Sequence, residues 1–318
     1  MKSTLLKDFN LQEDVDIKLF DNNQKKLGAR KGSYIEKKVN IAAVVPLFHP
    51  VLSDVSNIIR YARFFDECIV VDDSGNNSVL FEQCTKSENS RITYLYNINE
   101  QGLSKTVNKG VEEAINRSAS WIMIINQDSS IHTNIVAIFK EYILHNNTAD
   151  IAELAPQYNY DRHPRKSKNG YKSITYADMT GSVINVNVWR KVGGYDTRFF
   201  IDGLDTEWCL RVRRKGYKIV QCSQAVMEHH PGETRELRIF GHAIFKYGWH
   251  VPVRYYYQFK AAFILHDEYH DIKTDLFALY KFLKVIFLFD NKAEYIKMIR
   301  QAKNDFLNNK FGKYKELD

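Results

Sequence analysis

Asn40-Ile41-Ala42-Ala43-Val44-Val45-Pro46 is a continuous apolar run closed by a proline. A short run without polar alternation reads as a strand buried on both faces, which is the mark of a parallel sheet. The texture then repeats along the chain. Val55, Ile58, Ile59 and Ala62 recur at helical spacing within residues 54–65. Cys68-Ile69-Val70-Val71-Asp72-Asp73 is a second buried strand, ended by Ser74-Gly75-Asn76-Asn77. Residues 91–96 form a third strand. Residues 103–117 form a helix carrying Val107, Val111, Ala114 and Ile115, and residues 121–125 form a fourth strand ended by Asn126-Gln127-Asp128. This alternation predicts an α/β domain with a mostly parallel central sheet flanked by helices. The polar clusters fall just after strand ends, the edge at which open α/β sheets bind ligands. Residues 46–50, Asp72-Asp73 and residues 126–128 are therefore expected to converge on one crevice.

The later chain is less regular. Residues 151–174 read as a polar loop or hairpin over the crevice, with Arg162, His163, Arg165, Lys166 and Lys168 as a basic cluster. Residues 176–188 read as a strand, and Trp189 opens a short helix ending at Gly193-Gly194. A helix over 207–215 ends at Gly216, and strands follow over 218–221 and 225–230. From about Glu236 the texture is helical. Three regions result: a polar, lysine-rich N-terminal extension (1–38), an α/β domain (39–235) and a C-terminal helical region (236–318).

With 318 residues, 44% of them hydrophobic and 26% charged, the chain can bury a full core and is far from disordered. The net charge of +7 would suit nucleic acid, anionic lipid or a phosphorylated substrate. No Lys/Arg run is dense enough to point to nucleic acid, so none is expected as a partner. The four cysteines lack metal-ligand spacing, and Cys68 and Cys209 sit in apolar runs, as expected of a reduced, cytoplasmic protein. The N-terminus shows no signal-peptide hydrophobic region, and no apolar stretch is long enough to span a bilayer. Residues 276–289 form an apolar helix interrupted by Lys281 and Lys284. It would pack on its own domain or in a dimer, or lie on a membrane with both lysines on lipid phosphates.

The densest chemistry lies in Phe199-Phe200-Ile201-Asp202-Gly203-Leu204-Asp205-Thr206-Glu207-Trp208. Carboxylates among aromatics are costly unless paired or used, and burial can raise a carboxyl toward the pKa of a general base. Asp205 is the candidate base, with a helix N-cap as the plain alternative. Asp72 and Asp73 would accept from a base or ribose, or form a turn. Asp128 would hold a hard cation, or cap a helix. His229-His230 offer imidazole ligands. Trp208 and Tyr255-Tyr256-Tyr257 would stack on a sugar or fill the core.

In order, Val-Val-Pro46, Val-Asp72-Asp73-Ser, Gly102-Leu-Ser-Lys, Asn126-Gln-Asp128, Gly193-Gly-Tyr-Asp, Asp205-Thr-Glu-Trp-Cys-Leu-Arg and His229-His-Pro-Gly resemble the inverting glycosyltransferases of family 2, of GT-A fold, near the bacterial rhamnosyltransferase-like subgroup. The resemblance covers residues 40–235. It implies that Pro46 lies beside the nucleotide base, that Asp72 or Asp73 binds base and ribose, and that Asn126 and Asp128 form the Asp-x-Asp site. Asn in place of the first Asp keeps an acceptor oxygen and loses the charge. It further implies Mg2+ or Mn2+ on Asp128 and His229, Asp205 as general base, and acceptor contacts at Glu207 and Trp208. The expected partners are a dTDP- or UDP-sugar donor and a saccharide or polyprenyl-diphosphate-linked acceptor in surface polysaccharide (O-antigen or capsule) synthesis. The location is then the cytoplasm, at the inner face of the membrane if peripheral, with a homodimer left open. Three rival readings are weaker. A nucleotidyltransferase would need a Gly-rich basic signature after the first strand. A nucleic-acid module conflicts with the acidic crevice. A degenerate, non-catalytic GT-A assembly partner is suggested by Asn126 and opposed by Asp128 and Asp205.

Overall fold

The computed structural model describes residues 39–75, 91–160, 170–229, 232–240 and 242–315, all within one compact unit. The N-terminal extension, the basic cluster at 162–168 and His230 lie outside the described residues.

The opening run forms β1 (Ile41–Leu47), with every residue buried. It lies between β2 (Glu67–Asp72) and β4 (Trp121–Ile124), and both pairings are parallel. Val44 stands level with Ile69 on one side and Ile124 on the other. With β3 (Ile92–Tyr96), β5 (Ile151–Tyr160), β6 (Tyr171–Ile174), β7 (Val183–Asn185) and β8 (Lys218–His229), the sheet runs β3-β2-β1-β4-β7-β5-β8-β6. Side-chain alternation divides β1 between two cores. Ala42 and Val44 face α2 (Leu103–Asn116) and α5 (Leu204–Arg214), whereas Ile41, Ala43 and Val45 face α1 (Leu52–Ala62) and α3 (Thr133–His145). Helices on both faces explain why these strands are uniformly apolar. The expected α/β architecture of GT-A type is present.

The second half departs from expectation in four places. Residues 151–160 are not an irregular loop. They form β5, whose first eight residues are buried and which pairs in parallel with β8. Glu153 and Pro156 interrupt the apolar pattern there, although Glu153 itself is buried. The strand expected over 176–188 shrinks to β7, and α4 (Val186–Val192) begins at once. The two strands expected over 218–230 are one strand with a register shift near Cys222–Val226. Finally, residues 236–249 are not helical. β9 (Glu233–Ile239) and β10 (His242–Trp249) form an antiparallel ribbon, with the Arg235 guanidinium 3.7 Å from the Trp249 ring.

The C-terminal helices are α6 (Pro252–Tyr269), α7 (Ile272–Leu288) and α8 (Lys292–Leu307). Tyr255, Tyr256 and Tyr257 are buried and build a third core with Phe200, Phe289 and Tyr295. They are core residues and not a sugar platform. Among the described residues, no helix is long and apolar enough to cross a membrane. Lys284 is buried and donates to the Gly248 carbonyl at 2.7 Å, and Lys281 faces a cavity, so neither lysine is placed to reach lipid phosphates.

Candidate active site

A cavity of about 1030 Å³ opens at the carboxyl ends of β1 and β4. Pro46, Asp73, Asn126, Asp128 and Asp205 all line it, so the expected convergence occurs. Its far wall is C-terminal: Arg254, Gln258 and Phe259 from α6, and Phe277, Ala278 and Lys281 from α7.

The two acidic residues after β2 have separate tasks. Asp72 is buried and absent from the cavity wall. Its carboxylate accepts from the Ser74 backbone N–H (2.9 Å) and from the Tyr94 hydroxyl (2.8 Å). It forms the turn, which corrects its expected contact with base or ribose. Asp73 reaches the cavity but also organises the next loop. Its Oδ1 accepts from Asn97 Nδ2 (2.7 Å) and Gln101 N (2.8 Å), and its Oδ2 accepts from Gly102 N (2.8 Å). Gly102 has φ +88°, and a Cβ there would lie 2.4 Å from the Phe200 ring. Leu103 N donates to the Phe200 carbonyl at 2.6 Å, tying the start of α2 to the acidic segment that precedes α5.

That segment delivers Asp205. Gly203, not Asp205, is the N-cap of α5; Asp205 sits in its first turn, and Thr206 N donates to its Oδ1 at 2.7 Å. Burial pushes the Asp205 carboxyl well above the usual carboxylate range, and the charges of Asp178 and Asp202 add to the shift. Asp178 lines the cavity and accepts from the Tyr160 hydroxyl at 2.6 Å. Behind the cavity, burial pushes Glu153 up to about 7, Ser182 partly offsets this by hydrogen bonding, and Asp205 adds to the rise.

Glu207 and Trp208, expected at the acceptor, do not line the cavity. Glu207 is buried; its Oε1 accepts from Arg211 Nε and from the Tyr269 hydroxyl, both at 2.7 Å, and its Oε2 accepts from Arg211 Nη2 at 2.8 Å. Trp208 is 0% exposed and packs on Trp189 and Tyr195, with ring centroids 5.0 and 5.9 Å away. Both lie on the core side of α5, whereas Asp205 looks into the cavity.

Asp128 is exposed and accepts no hydrogen bond among the described residues. Its neighbour Gln127 braces the loop after β1: Gln127 Oε1 accepts from Phe48 N at 2.7 Å. His229 ends β8 opposite Tyr160, and its side chain lies outside the described residues. Among the described residues there is no group of three or more Asp, Glu, His or Cys that could hold a metal. The donor set of one free carboxylate and the Asn126 amide oxygen does not fit an all-protein cage. It fits a hard cation that keeps several waters and takes its other ligands from substrate phosphates. Asp178, Asp202 and Arg254 are wall residues without an expected role, and Lys281, expected to pack or to reach lipid, is a fourth. Asp202 lay in plain view within the acidic segment, while the others are brought in by β7 and the C-terminal helices.

Comparisons with known proteins bear on the family and the fold. Residues 50–201 match the family model described as Glycosyl transferase family 2. A curated relative, dTDP-rhamnosyl transferase RfbF of Shigella flexneri, is 26% identical over 279 residues, covering 81% of this chain and 92% of its own. Two solved structures share the fold. GalNAc-T7 with UDP, GalNAc and Mn2+ aligns with a TM-score of 0.55 at 14% identity, over 86% of this chain and 56% of that one. The chain thus spans little more than half the length of GalNAc-T7. The mannosyltransferase PcManGT of Pyrobaculum calidifontis, with GDP-Man and Mn2+, aligns with a TM-score of 0.50 at 10% identity, over 85% and 75% of the two chains.

Proposed function

We propose that the chain is a family 2 glycosyltransferase of GT-A fold, the reading supported by the family model over residues 50–201 and by the curated relative, and that it is an inverting hexosyltransferase using a nucleoside-diphosphate sugar. The rhamnosyl group of a dTDP-sugar is the first donor to test, because that is the donor in the relative's name; a UDP-sugar is the second. The acceptor is a saccharide hydroxyl, free or polyprenyl-diphosphate-linked, in surface polysaccharide assembly. The observation that carries the mechanism is Asp205, a carboxyl raised toward neutrality and opening onto the same cavity as Pro46 and Asp128.

Asp205 takes the acceptor hydroxyl proton as that oxygen attacks the anomeric carbon. The bond from the anomeric carbon to the diphosphate oxygen breaks on the opposite face, and its electron pair leaves with the nucleoside diphosphate. One carboxyl suffices because the leaving group needs no proton, unlike hydrolysis by paired carboxylates. Pro46 and Asp73 border the donor's nucleoside end. Asp128 and the Asn126 amide oxygen would hold Mg2+ or Mn2+, with His229 as a proposed third protein ligand. When bound, the cation would neutralise charge on the diphosphate.

The test is release of nucleoside diphosphate from a donor panel with Mn2+ or Mg2+ and crude lipid-linked acceptor. Release from one donor, lost in Asp205→Asn and reduced in Asp128→Asn, is the expected result. Equal release by wild type and Asp205→Asn would overturn the base assignment. Asn126 favours one alternative, a degenerate assembly partner, which would show neither release nor nucleotide binding.

A further inference from the structure

We propose that Lys281 and Arg254 form a phosphate-binding subsite on the C-terminal wall of the cavity. The inference rests on the transferase reading, since it gives that wall a substrate group to hold. Arg254, in the first turn of α6, donates from Nη2 to Asp202 Oδ1 at 2.8 Å. This is a half-made pair. Arg254 Nε is buried without a partner, and so is Asp202 Oδ2. Buried polar atoms are rarely left unmatched unless something else completes them.

Lys281 stands on the same wall, midway along α7. Its ammonium makes no hydrogen bond among the described residues, and its one ring contact is Phe277 of its own helix, at 4.7 Å. Burial lowers it to about 8. Asp202 and Asp205 oppose the shift, while Lys284 and Arg254 reinforce it. Lys284 is occupied by the Gly248 carbonyl, and Asp202 is shared with Arg254. The wall therefore carries two cationic side chains that line the cavity, and the Lys281 ammonium has no hydrogen-bond partner among the described residues. A multiply charged anion with several acceptor oxygens answers both needs, as phosphate and diphosphate do. Two sources carry that chemistry into this cavity: the donor's diphosphate and a phosphate borne by the acceptor.

The experiment is calorimetric titration of the full chain in metal-free buffer, so that Asp128 contributes no cation bridge. The probes are inorganic pyrophosphate, dTDP, UDP and geranyl diphosphate. The variants are Lys281→Met, Lys281→Arg and Lys292→Met, the last an exposed lysine on α8 that controls for net charge. Pyrophosphate affinity is expected to fall roughly tenfold in Lys281→Met, the effect of losing one charged hydrogen bond. It should be retained in Lys281→Arg and Lys292→Met. The same loss for dTDP and UDP alone identifies the donor's diphosphate; loss for geranyl diphosphate alone identifies the acceptor's phosphate. Pyrophosphate binding that is absent in wild type, unchanged in Lys281→Met, or equally weakened in Lys292→Met overturns the subsite. No turnover is read, so a failed transferase assay leaves this result standing. Active transfer with unchanged pyrophosphate binding removes the subsite alone.

Discussion

Replacing Gly203 by alanine tests how tightly the base segment is clamped. Gly203 has φ +88°, and a Cβ there would lie 2.6 Å from the Ala261 Cβ and 3.0 and 3.2 Å from Phe199 ring atoms. Gly216, at the other end of α5, has nearly the same backbone angle (φ +83°) and nothing within 4 Å. The two substitutions therefore share the left-handed strain, about 1–2 kcal/mol for a residue bearing a Cβ. Only Gly203→Ala adds a collision, which in a packed core costs about 1–3 kcal/mol. The collision is hard to relieve because the Ala261 methyl is fixed to the α6 backbone and has no rotamer to change. Urea denaturation should show a loss of about 1–2 kcal/mol for Gly216→Ala and about 2–5 kcal/mol for Gly203→Ala. Adding Ala261→Gly, which alone costs about 1 kcal/mol in a helix interior, should return most of the collision energy in a double-mutant cycle. Because Asp205 lies two residues on, Gly203→Ala should also lower kcat while Gly216→Ala leaves it intact. Equal destabilisation by the two substitutions, or no coupling with Ala261→Gly, would refute the steric argument.

Three further outcomes follow from the site. Asp205 must be ionised to accept a proton, so kcat/KM should fall as pH drops through a midpoint well above the ordinary carboxylate range, and Asp202→Asn, which removes a charge that raises this carboxyl, should move the midpoint down; a profile flat to about pH 5 would exclude Asp205 as the titrating base. Glu153, raised from 4.5 to about 7, supports the fold fully below its unfolded pKa and loses that contribution as pH rises to about 7. Glu153→Gln should therefore gain up to about 3 kcal/mol over wild type at pH 8 and nothing near pH 4, as read by urea midpoints at the two pH values; a pH-independent difference would contradict it. Trp208→Phe should cost about 1–3 kcal/mol of stability by opening core volume and leave the acceptor KM unchanged, whereas a raised acceptor KM with unchanged stability would restore a sugar-stacking role.

What could be read from the sequence follows the physics of burial. Strands β1, β2 and β4 are apolar on both faces, so their pattern and the position of the ligand edge are visible in residues alone, and with them Pro46, Asn126 and Asp128, while Asp205 is visible as a carboxylate set among aromatics. β5 was obscured because one buried carboxyl, Glu153, broke its apolar run; the energy of that burial is offset by tertiary partners that no local window contains. The ribbon β9–β10 was obscured because β9 is rich in charges, because the consecutive Ala243, Ile244 and Phe245 break the strand alternation of β10, and because pairing between the strands decides the structure. Asp72 and Asp73 are adjacent and look equivalent as letters, yet strand alternation turns one into the turn and the other toward the cavity. Trp208 shows the same effect on a helix. It lies three positions after Asp205, but its ring is committed to Trp189 and Tyr195.

The cavity's two walls come from opposite ends of the chain. Pro46 belongs to the first strand and Lys281 to the penultimate helix, with every strand of both sheets between them. During synthesis all ten described strands have left the ribosome's catalytic centre by Trp249, while Arg254, Gln258 and Lys281 are still to be made. At roughly 5–20 residues per second the gap up to Lys281 lasts about 2–6 s. For that interval the acidic edge carrying Asp128 and Asp205 exists without its cationic counterpart, and a growing chain has half a substrate chamber. Termination between residues 249 and 254 would therefore yield a product with all ten described strands and without Arg254, Gln258 and Lys281 of the cavity's C-terminal wall.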